Sequence, residues 1–249
     1  MLKEERKQKI LDKLNIEQKV LANQLSEEFE VSEDTIRRDL KELSDQGLLK
    51  RVHKGALKAG PPVTDFTFRQ SVSEEMKKKM AIKALRFIKE ETVIIIDGST
   101  TNLELVKQLP QDFKCTVITN SPPIAVALSH HRDIEVINLG GIFYKQSMIS
   151  VGVTPYKQLE DIRADLYIMG VYNIDIVHGT SVPTIQEAQI KKLMSEVSTE
   201  VLAMITPDKF GTVSNSIIGP VKDISYLISE EAPQKLIDKF NNFGIKFID

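Results

Sequence analysis

The sequence predicts an α/β chain in which a small, mostly helical N-terminal domain precedes a larger domain with a mostly parallel sheet. Three observations carry this. Apolar residues recur at helical spacing in three closely spaced groups before residue 45. After residue 73, continuous apolar runs such as Thr92–Asp97 alternate with helical stretches. Between the two patterns, Ala59-Gly60-Pro61-Pro62 breaks any regular element and reads as a hinge. A chain of 249 residues has room for two domains.

The first three groups are Ile10, Leu11 and Leu14; Ala22, Leu25 and Phe29; and Ile36, Leu40 and Leu43. Only Glu30, Val31 and Ser32 separate the second helix from the third. So short a connection forces the two helices into steep contact, as in a helix-turn-helix. Ser32 can cap the third helix with its hydroxyl, and Gly47 can supply the left-handed residue that ends it. On a helical wheel Ile36, Leu40 and Leu43 share one face. Asp34, Arg37, Arg38 and Lys41 share the opposite one, flanked by Thr35. Leu49, Val52 and Leu57 then suggest a short hairpin that presents Lys50, Arg51, His53 and Lys54 outward as a wing.

Net charge is −2 for the whole chain, which by itself says nothing of nucleic acid. Between Thr35 and Lys58, however, seven basic residues face three acidic ones, a local charge of +4. A basic patch on a nearly neutral chain suits phosphate contacts. The DNA-facing set is therefore Ser32, Asp34, Thr35, Arg37, Arg38, Lys41, Arg51, His53 and Lys54. Arginine can grip guanine by two hydrogen bonds, and Asp34 can accept from cytosine. Ser32 is better suited to a cap or a phosphate contact than to base reading. A helical bundle that binds another protein is the competing reading of the same residues.

The stretch from Val31 through Leu40 resembles the signature of the DeoR family of bacterial transcriptional regulators. Gly47-Leu48-Leu49 and Arg51-Val52-His53-Lys54-Gly55-Ala56 continue the likeness, with Lys54 where the family pattern has the first of two glycines.

In the second half, an amphipathic helix from Ser73, with Met80, Ala84, Phe87 and Ile88 on its apolar face, leads into the strand at Thr92–Asp97. Further strand candidates are 115–119, 134–139, 166–171, 201–205, 224–228 and 245–248. In open parallel sheets ligands bind outside the carboxyl ends of the strands. Three polar turns fall there: Asp97-Gly98-Ser99-Thr100-Thr101, Asn120-Ser121 and Gly140-Gly141. The first has backbone amides, hydroxyls and a helix start, which together suit a phosphate.

This half is similar to the DeoR-family effector domain, whose fold is Rossmann-like and related to ribose-5-phosphate isomerase and CoA-transferase-like proteins. The matching pieces include Lys77, Asp97 to Thr101, Thr119-Asn120-Ser121, Leu139-Gly140-Gly141, Gly152, Asp165, Gly170, Gly179-Thr180, Glu187-Ala188 with Lys191 and Met194, and Lys209-Phe210-Gly211. The resemblance implies a phosphorylated-sugar effector. Gly98, Ser99, Thr100 and Thr101 would hold its phosphate, with Asp97, Asn120, Ser121, Gly140, Gly141, Glu187, Lys191 and Lys209 around the sugar. Glu187 and Lys191, four apart on a helix, also suit an ordinary surface pair. Met76, Ile142, Tyr172, Asn173, Thr206 and Asp208 depart from the family pattern around the pocket wall.

The expected organisation is a winged helix-turn-helix over residues 1–58, a linker over 59–72 and an effector domain over 73–249. The expected function is repression of a carbohydrate-metabolism operon on double-stranded operator DNA by a homo-oligomer, a dimer or tetramer, under control of a sugar phosphate. A cytoplasmic location is expected, because no run of about 18 apolar residues suggests a membrane span and residues 1–9 lack a signal peptide's apolar core. Cys115, alone in an apolar run, reads as a buried small hydrophobe. The four histidines have no partners at ligand spacing, so neither a metal nor a cofactor is expected. The alternative is an enzyme, a sugar-phosphate isomerase or CoA-transferase-like protein with a helical appendage, in which Asp97, Glu187 or Lys209 would supply a base.

Overall fold

A computed structural model describes every residue except Gln18 and residues 61–63; the side chain of Asn15 is also left aside. The Pro61-Pro62 part of the expected hinge therefore lies outside the described residues.

The N-terminal domain runs α1 (Lys3–Glu17), β1 (Lys19–Leu21), α2 (Ala22–Glu28), α3 (Glu33–Asp45), β2 (Leu49–Val52) and β3 (Gly55–Lys58). The two strands of the expected hairpin are joined by β1 in a sheet of order β1-β3-β2. β1 is three residues long and follows α1 almost directly, so no periodicity marks it. Ile10, Leu14, Leu25, Ile36, Leu40 and Leu43 form the buried core with Val20 and Leu49. The side chain of Ser32 accepts the backbone N–H of Thr35 and caps α3, and Gly47 takes φ +75° just beyond the helix. The wing turn places Lys54 at φ +70°, the left-handed region where the family pattern has glycine. Gly55 beside it has no room for a side chain: a Cβ would stand 2.0 Å from the carbonyl oxygen of Val20.

The second domain begins earlier than residue 73. A helix, α4 (Phe66–Ser71), occupies half of the expected linker. Asp65 caps it, and Phe66 is buried in the core of the larger domain. There follow α5 (Glu74–Ala84), β4 (Val93–Ile96), α6 (Thr100–Lys107), β5 (Cys115–Thr119), α7 (Pro122–Leu128) and β6 (Ile134–Asn138). The chain continues through β7 (Ile142–Tyr144), β8 (Ile149–Val151), α8 (Val153–Glu160), β9 (Ala164–Gly170), β10 (Asn173–Asp175) and β11 (Gly179–Val182). It ends with α9 (Ile185–Glu196), β12 (Ser198–Met204), β13 (Ser216–Gly219), β14 (Tyr226–Ile228), α10 (Gln234–Asn241) and β15 (Lys246–Ile248).

All pairings in the seven-stranded sheet, of order β15-β14-β12-β9-β4-β5-β6, are parallel. Alternate residues serve opposite faces. Ile95, Tyr167, Met169, Val201 and Ala203 pack beneath α9 and α10. Ile94, Ile96, Leu166, Ile168 and Leu202 pack beneath α5, α6 and α7. Cys115 lies in this second core, and burial pushes its thiol up to about 11. From β4 the chain winds one way, to β5 and β6; from β9 it winds the other way, to β12, β14 and β15. β4 and β9 are neighbours, so the loops after them diverge and leave a crevice at the topological switch point.

Candidate functional site

The N-terminal domain presents its basic face to solvent. Ser32, Asp34, Arg37, Arg38, Lys41, Arg51, His53 and Lys54 are exposed and Thr35 is half-buried. Arg37 donates to Glu33 at 2.6 Å and Arg38 to Asp34 at 2.8 Å, each one turn back along α3. Ser32 and Thr35 share a hydroxyl–hydroxyl bond of 2.8 Å. Lys50 departs from the expected outward wing: its ammonium donates to the side chain of Asn215 in the second domain. Beneath this surface Arg6 of α1 donates to Asp39 of α3 at 2.5 Å, and both side chains are buried. Sequence reasoning did not find that pair, because Arg6 and Asp39 are 33 residues apart and each sits in a charged stretch.

In the second domain a cavity of about 180 Å³ fills the crevice at the switch point. Drug-sized sites run to about 300–1,000 Å³, so this one suits a small ligand. Its walls come from the loop after β4 (Gly98, Ser99, Thr100, Thr101), the loop after β9 (Gly170 to Tyr172) and the loop after β12 (Thr206, Asp208, Lys209). Glu187 and Lys191 of α9, Lys77 of α5, and Arg69 and Phe68 of α4 complete it. Ser99 caps α6 by accepting the N–H of Asn102 at 2.9 Å. The amides of Thr100 and Thr101, at the helix start, have no intrahelical partner and carry the positive end of the dipole.

Asp97 is not part of the lining. It is 1% exposed and lies under the cavity floor, where four donors converge on it: Asn102 Nδ2 at 2.9 Å, the Gly170 N–H at 2.7 Å, the Tyr167 hydroxyl and Lys191 Nζ. Gly170 has no room for a side chain here, since a Cβ would stand 2.7 Å from Asp97 Oδ1. Lys191 also donates to the Gly170 carbonyl at 2.8 Å. Asp97 and Lys191 are thus a buried ion pair that fixes the ends of β4 and β9. The surface-pair reading of Glu187 and Lys191 fails, because both are buried and Lys191 pairs with Asp97.

Asn120, Ser121, Gly140 and Gly141 are also outside the lining. Asn120 donates to the Ser150 carbonyl at 3.1 Å and Ser121 starts α7; both are fully covered by the β7–β8 hairpin and its neighbours. The N–H of Gly140 donates to Gln158, and Gly141 packs on Pro155. The hairpin stands between these turns and the crevice, and no residue pattern announced strands of only three residues.

The cavity's charge is its main feature. Burial pushes the ammonium groups of Lys77 and Lys209 down to about 8, and lowers the Arg69 guanidinium as well. Among the described residues none of these three has a carboxylate partner within ion-pair distance. Arg69 donates to the carbonyls of Thr64 and of Gln146, the latter at 3.0 Å, and Lys77 donates to the Arg69 carbonyl. Across the cavity, burial raises Glu187 above the usual carboxylate range, and Ser147 donates to it at 3.3 Å. The site can therefore hold a small molecule with an anionic end and a hydroxyl-bearing end. Arg69 and Lys77 were missed as site residues: Arg69 fell in the expected linker, and Lys77 read only as a lead-helix cation.

Residues 6–59 match the DeoR-like helix-turn-helix domain, and residues 72–231 match the DeoR C-terminal sensor domain. The chain is 34% identical to the HTH-type transcriptional regulator YulB of Bacillus subtilis over 92% of this chain and 90% of that protein. It is 29% identical to the HTH-type transcriptional repressor GlcR of the same organism, over 100% and 96%. It is 31% identical to the L-fucose operon activator of Escherichia coli, over 92% and 96%. Among solved structures, a ribose 5-phosphate isomerase from Methanocaldococcus jannaschii is similar over 55% of this chain and 54% of its own, with 14% identity and a TM-score of 0.38.

Proposed function

We propose that this chain, which belongs to the DeoR family of DNA-binding transcriptional regulators, represses a carbohydrate-metabolism operon and is released or engaged by a phosphorylated sugar. The chain is a regulator and not an enzyme, as its named relatives are. The observation that carries the finer reading is the cluster of Arg69, Lys77 and Lys209, without carboxylate partners among the described residues, beside the open amides of α6. Lys77 is buried and Arg69 and Lys209 are half-buried; a desolvated cation without a counter-ion is costly, and an anionic ligand reduces that cost. The hydroxyl-bearing half of the ligand would face Glu187 and Ser147.

The names of two relatives each support one part of the reading: a transcriptional repressor supports repression, and the L-fucose operon activator supports a carbohydrate operon. The DNA contact is assigned to Asp34, Thr35, Arg37, Arg38 and Lys41 of α3 and to Arg51, His53 and Lys54 of the wing, with Ser32 at a phosphate. A homo-oligomer, a dimer or tetramer, would place two such faces on repeated half-sites. Among the described residues no helix is long and apolar enough to cross a membrane.

The test is a thermal-shift screen of the full chain against pentose and hexose phosphates, with the unphosphorylated sugars as controls. A true effector at a hundredfold excess over its Kd adds about 2.7 kcal/mol of stability by mass action. Equal shifts from phosphorylated and unphosphorylated sugars would refute the phosphate assignment.

A further inference from the structure

Three cations at the cavity come from three different elements. Arg69 lies on α4, five residues after Thr64, where the described chain resumes. Lys77 lies on α5 and donates to the Arg69 carbonyl, which ties the two helices together. Lys209 lies on the loop between β12 and β13.

That loop reaches the wing. The Thr212 hydroxyl donates to the Lys209 carbonyl and accepts from the Asn173 side chain. Lys58, the last residue of β3, forms a bridge with Thr212. Asn215 accepts from Lys50 of β2. The connection to the wing is close at one more point: a Cβ on Gly60 would stand 2.1 Å from Asn173 Nδ2. The loop that brings Lys209 to the cavity thus also contacts the N-terminal domain, at Lys50 and Lys58.

We propose that Arg69, Lys77 and Lys209 form a clamp for the anionic end of the effector, and that the clamp sets the position of the wing through the 206–215 loop, with the Lys50–Asn215 contact as the link that DNA must compete for. This rests on the reading of the cavity as a site for a phosphorylated ligand. Lys50 has two candidate partners, Asn215 and a DNA phosphate, and reach toward the phosphate draws its ammonium away from Asn215. With the cavity empty, the clamp cations repel one another and hold the loop and α4 weakly. An anion draws the two segments together, and the population with Lys50 on Asn215 changes with it. A ligand shifts DNA affinity only through such a difference between the two arrangements.

The experiment uses the full-length protein, inorganic phosphate and the sugar phosphate that gives the largest thermal shift, with binding followed by calorimetry and DNA affinity by fluorescence anisotropy. Arg69→Gln and Lys209→Gln are each expected to raise the sugar-phosphate Kd at least tenfold. In the unliganded state Lys209→Gln is expected to raise the thermal midpoint at pH 7, because it removes a repelling charge; this reading stands even if Arg69→Gln folds poorly. Asn215→Ala is expected to bind the sugar phosphate as wild type does, while the ligand-induced change in DNA affinity falls to less than half. Wild-type Kd in both clamp variants, a lower unliganded midpoint in Lys209→Gln, or an undiminished ligand response in Asn215→Ala would each overturn the proposal. If neither phosphate nor any sugar phosphate binds the wild type, the phosphorylated-ligand reading itself fails, and the clamp with it.

Discussion

In the N-terminal domain four cations on or against the recognition helix have an acid beside them. Arg6 meets Asp39, Lys7 meets Glu42, Arg37 meets Glu33 and Arg38 meets Asp34. At the effector cavity Arg69 and Lys77 donate to carbonyl groups, and among the described residues neither they nor Lys209 has a carboxylate within ion-pair distance. The two arrangements suit two kinds of anion. A DNA surface is large, wet and screened, and the exposed i,i+4 pairs on α3 are weak enough, at about 0.3–0.5 kcal/mol each, to open when phosphates or bases arrive. A small-molecule site has few contacts to work with, so its charges are held ready, desolvated and without counter-ions. Lys191, the cavity cation that has a counter-ion among the described residues, is engaged in holding strand ends together.

The contrast can be broken at its most buried pair first. Arg6→Ala or Asp39→Ala leaves one buried charge without its partner, a change that costs about 3–5 kcal/mol. Chemical denaturation should show the N-terminal domain unfolding early while the effector domain keeps its own transition. A loss below about 1 kcal/mol would mean that the pair behaves like a surface one.

The exposed arginines should act on binding instead of stability. Arg37→Ala with Arg38→Ala should weaken operator binding by about 1–3 kcal/mol for each base contact removed, with little change in melting temperature. Anisotropy at several salt concentrations checks it; unchanged affinity at low salt would remove α3 from the interface.

On the cavity side, Thr100→Val with Thr101→Val should abolish the ligand response and leave DNA binding intact. Both residues line the cavity at the start of α6, and both lose only a hydroxyl. A full response from the double variant would place the anion elsewhere.

A pH series sharpens the same point. Lys77 and Lys209 titrate at about 8 in the folded chain, below the ordinary 10.5, with burial as the main cause. Arg69, Lys191, Glu74, Glu104 and Asp208 act on one or both of them, and Lys77 acts on Lys209. Below pH 8 both lysines are charged in the folded and unfolded states alike, and the unliganded fold carries the cost. Between about 8 and 10.5 the unfolded state binds more protons, so unliganded stability should rise with pH. Affinity for an anionic ligand should fall across pH 8 as the ammonium groups lose their charge. Calorimetry at pH 7 and pH 9 reads both effects.

The smallest effect is at the wing. Lys54→Gly relieves a left-handed residue and should change stability by less than about 1 kcal/mol, since glycine also loosens the unfolded chain. If Lys54 neutralises a phosphate, the salt slope of DNA binding should drop by about 0.9.

The elements that depend on local pattern were legible in the residues. The helix-turn-helix, the Ser32 cap and the Gly47 stop follow from spacing and side-chain chemistry within one turn. The seven parallel strands follow from apolar runs that must be buried on both faces. The β7–β8 hairpin and the three strands of the β10-β11-β13 sheet were not legible: they are three or four residues long and are held by partners distant in sequence. The turn at Gly98 to Thr101 was correctly placed at a strand end, because a polar Gly-Ser-Thr turn before a helix needs only its own neighbours. Which other residues reach it was a question of topology. Asp97 went under the floor because Lys191, Tyr167 and Gly170 converge on it, and Asn120 was covered by a hairpin. Arg69 joined the cavity because α4 packs back onto the sheet through Phe66. Sequence by itself determined the helix-turn-helix, the parallel strands and the polar turn at Gly98 to Thr101, since those rest on contacts within a turn or a strand. Only the tertiary structure decided which charges are paired and which are left for a ligand, since a pairing between Arg6 and Asp39, or Lys191 and Asp97, is made by elements that meet only after the chain has folded.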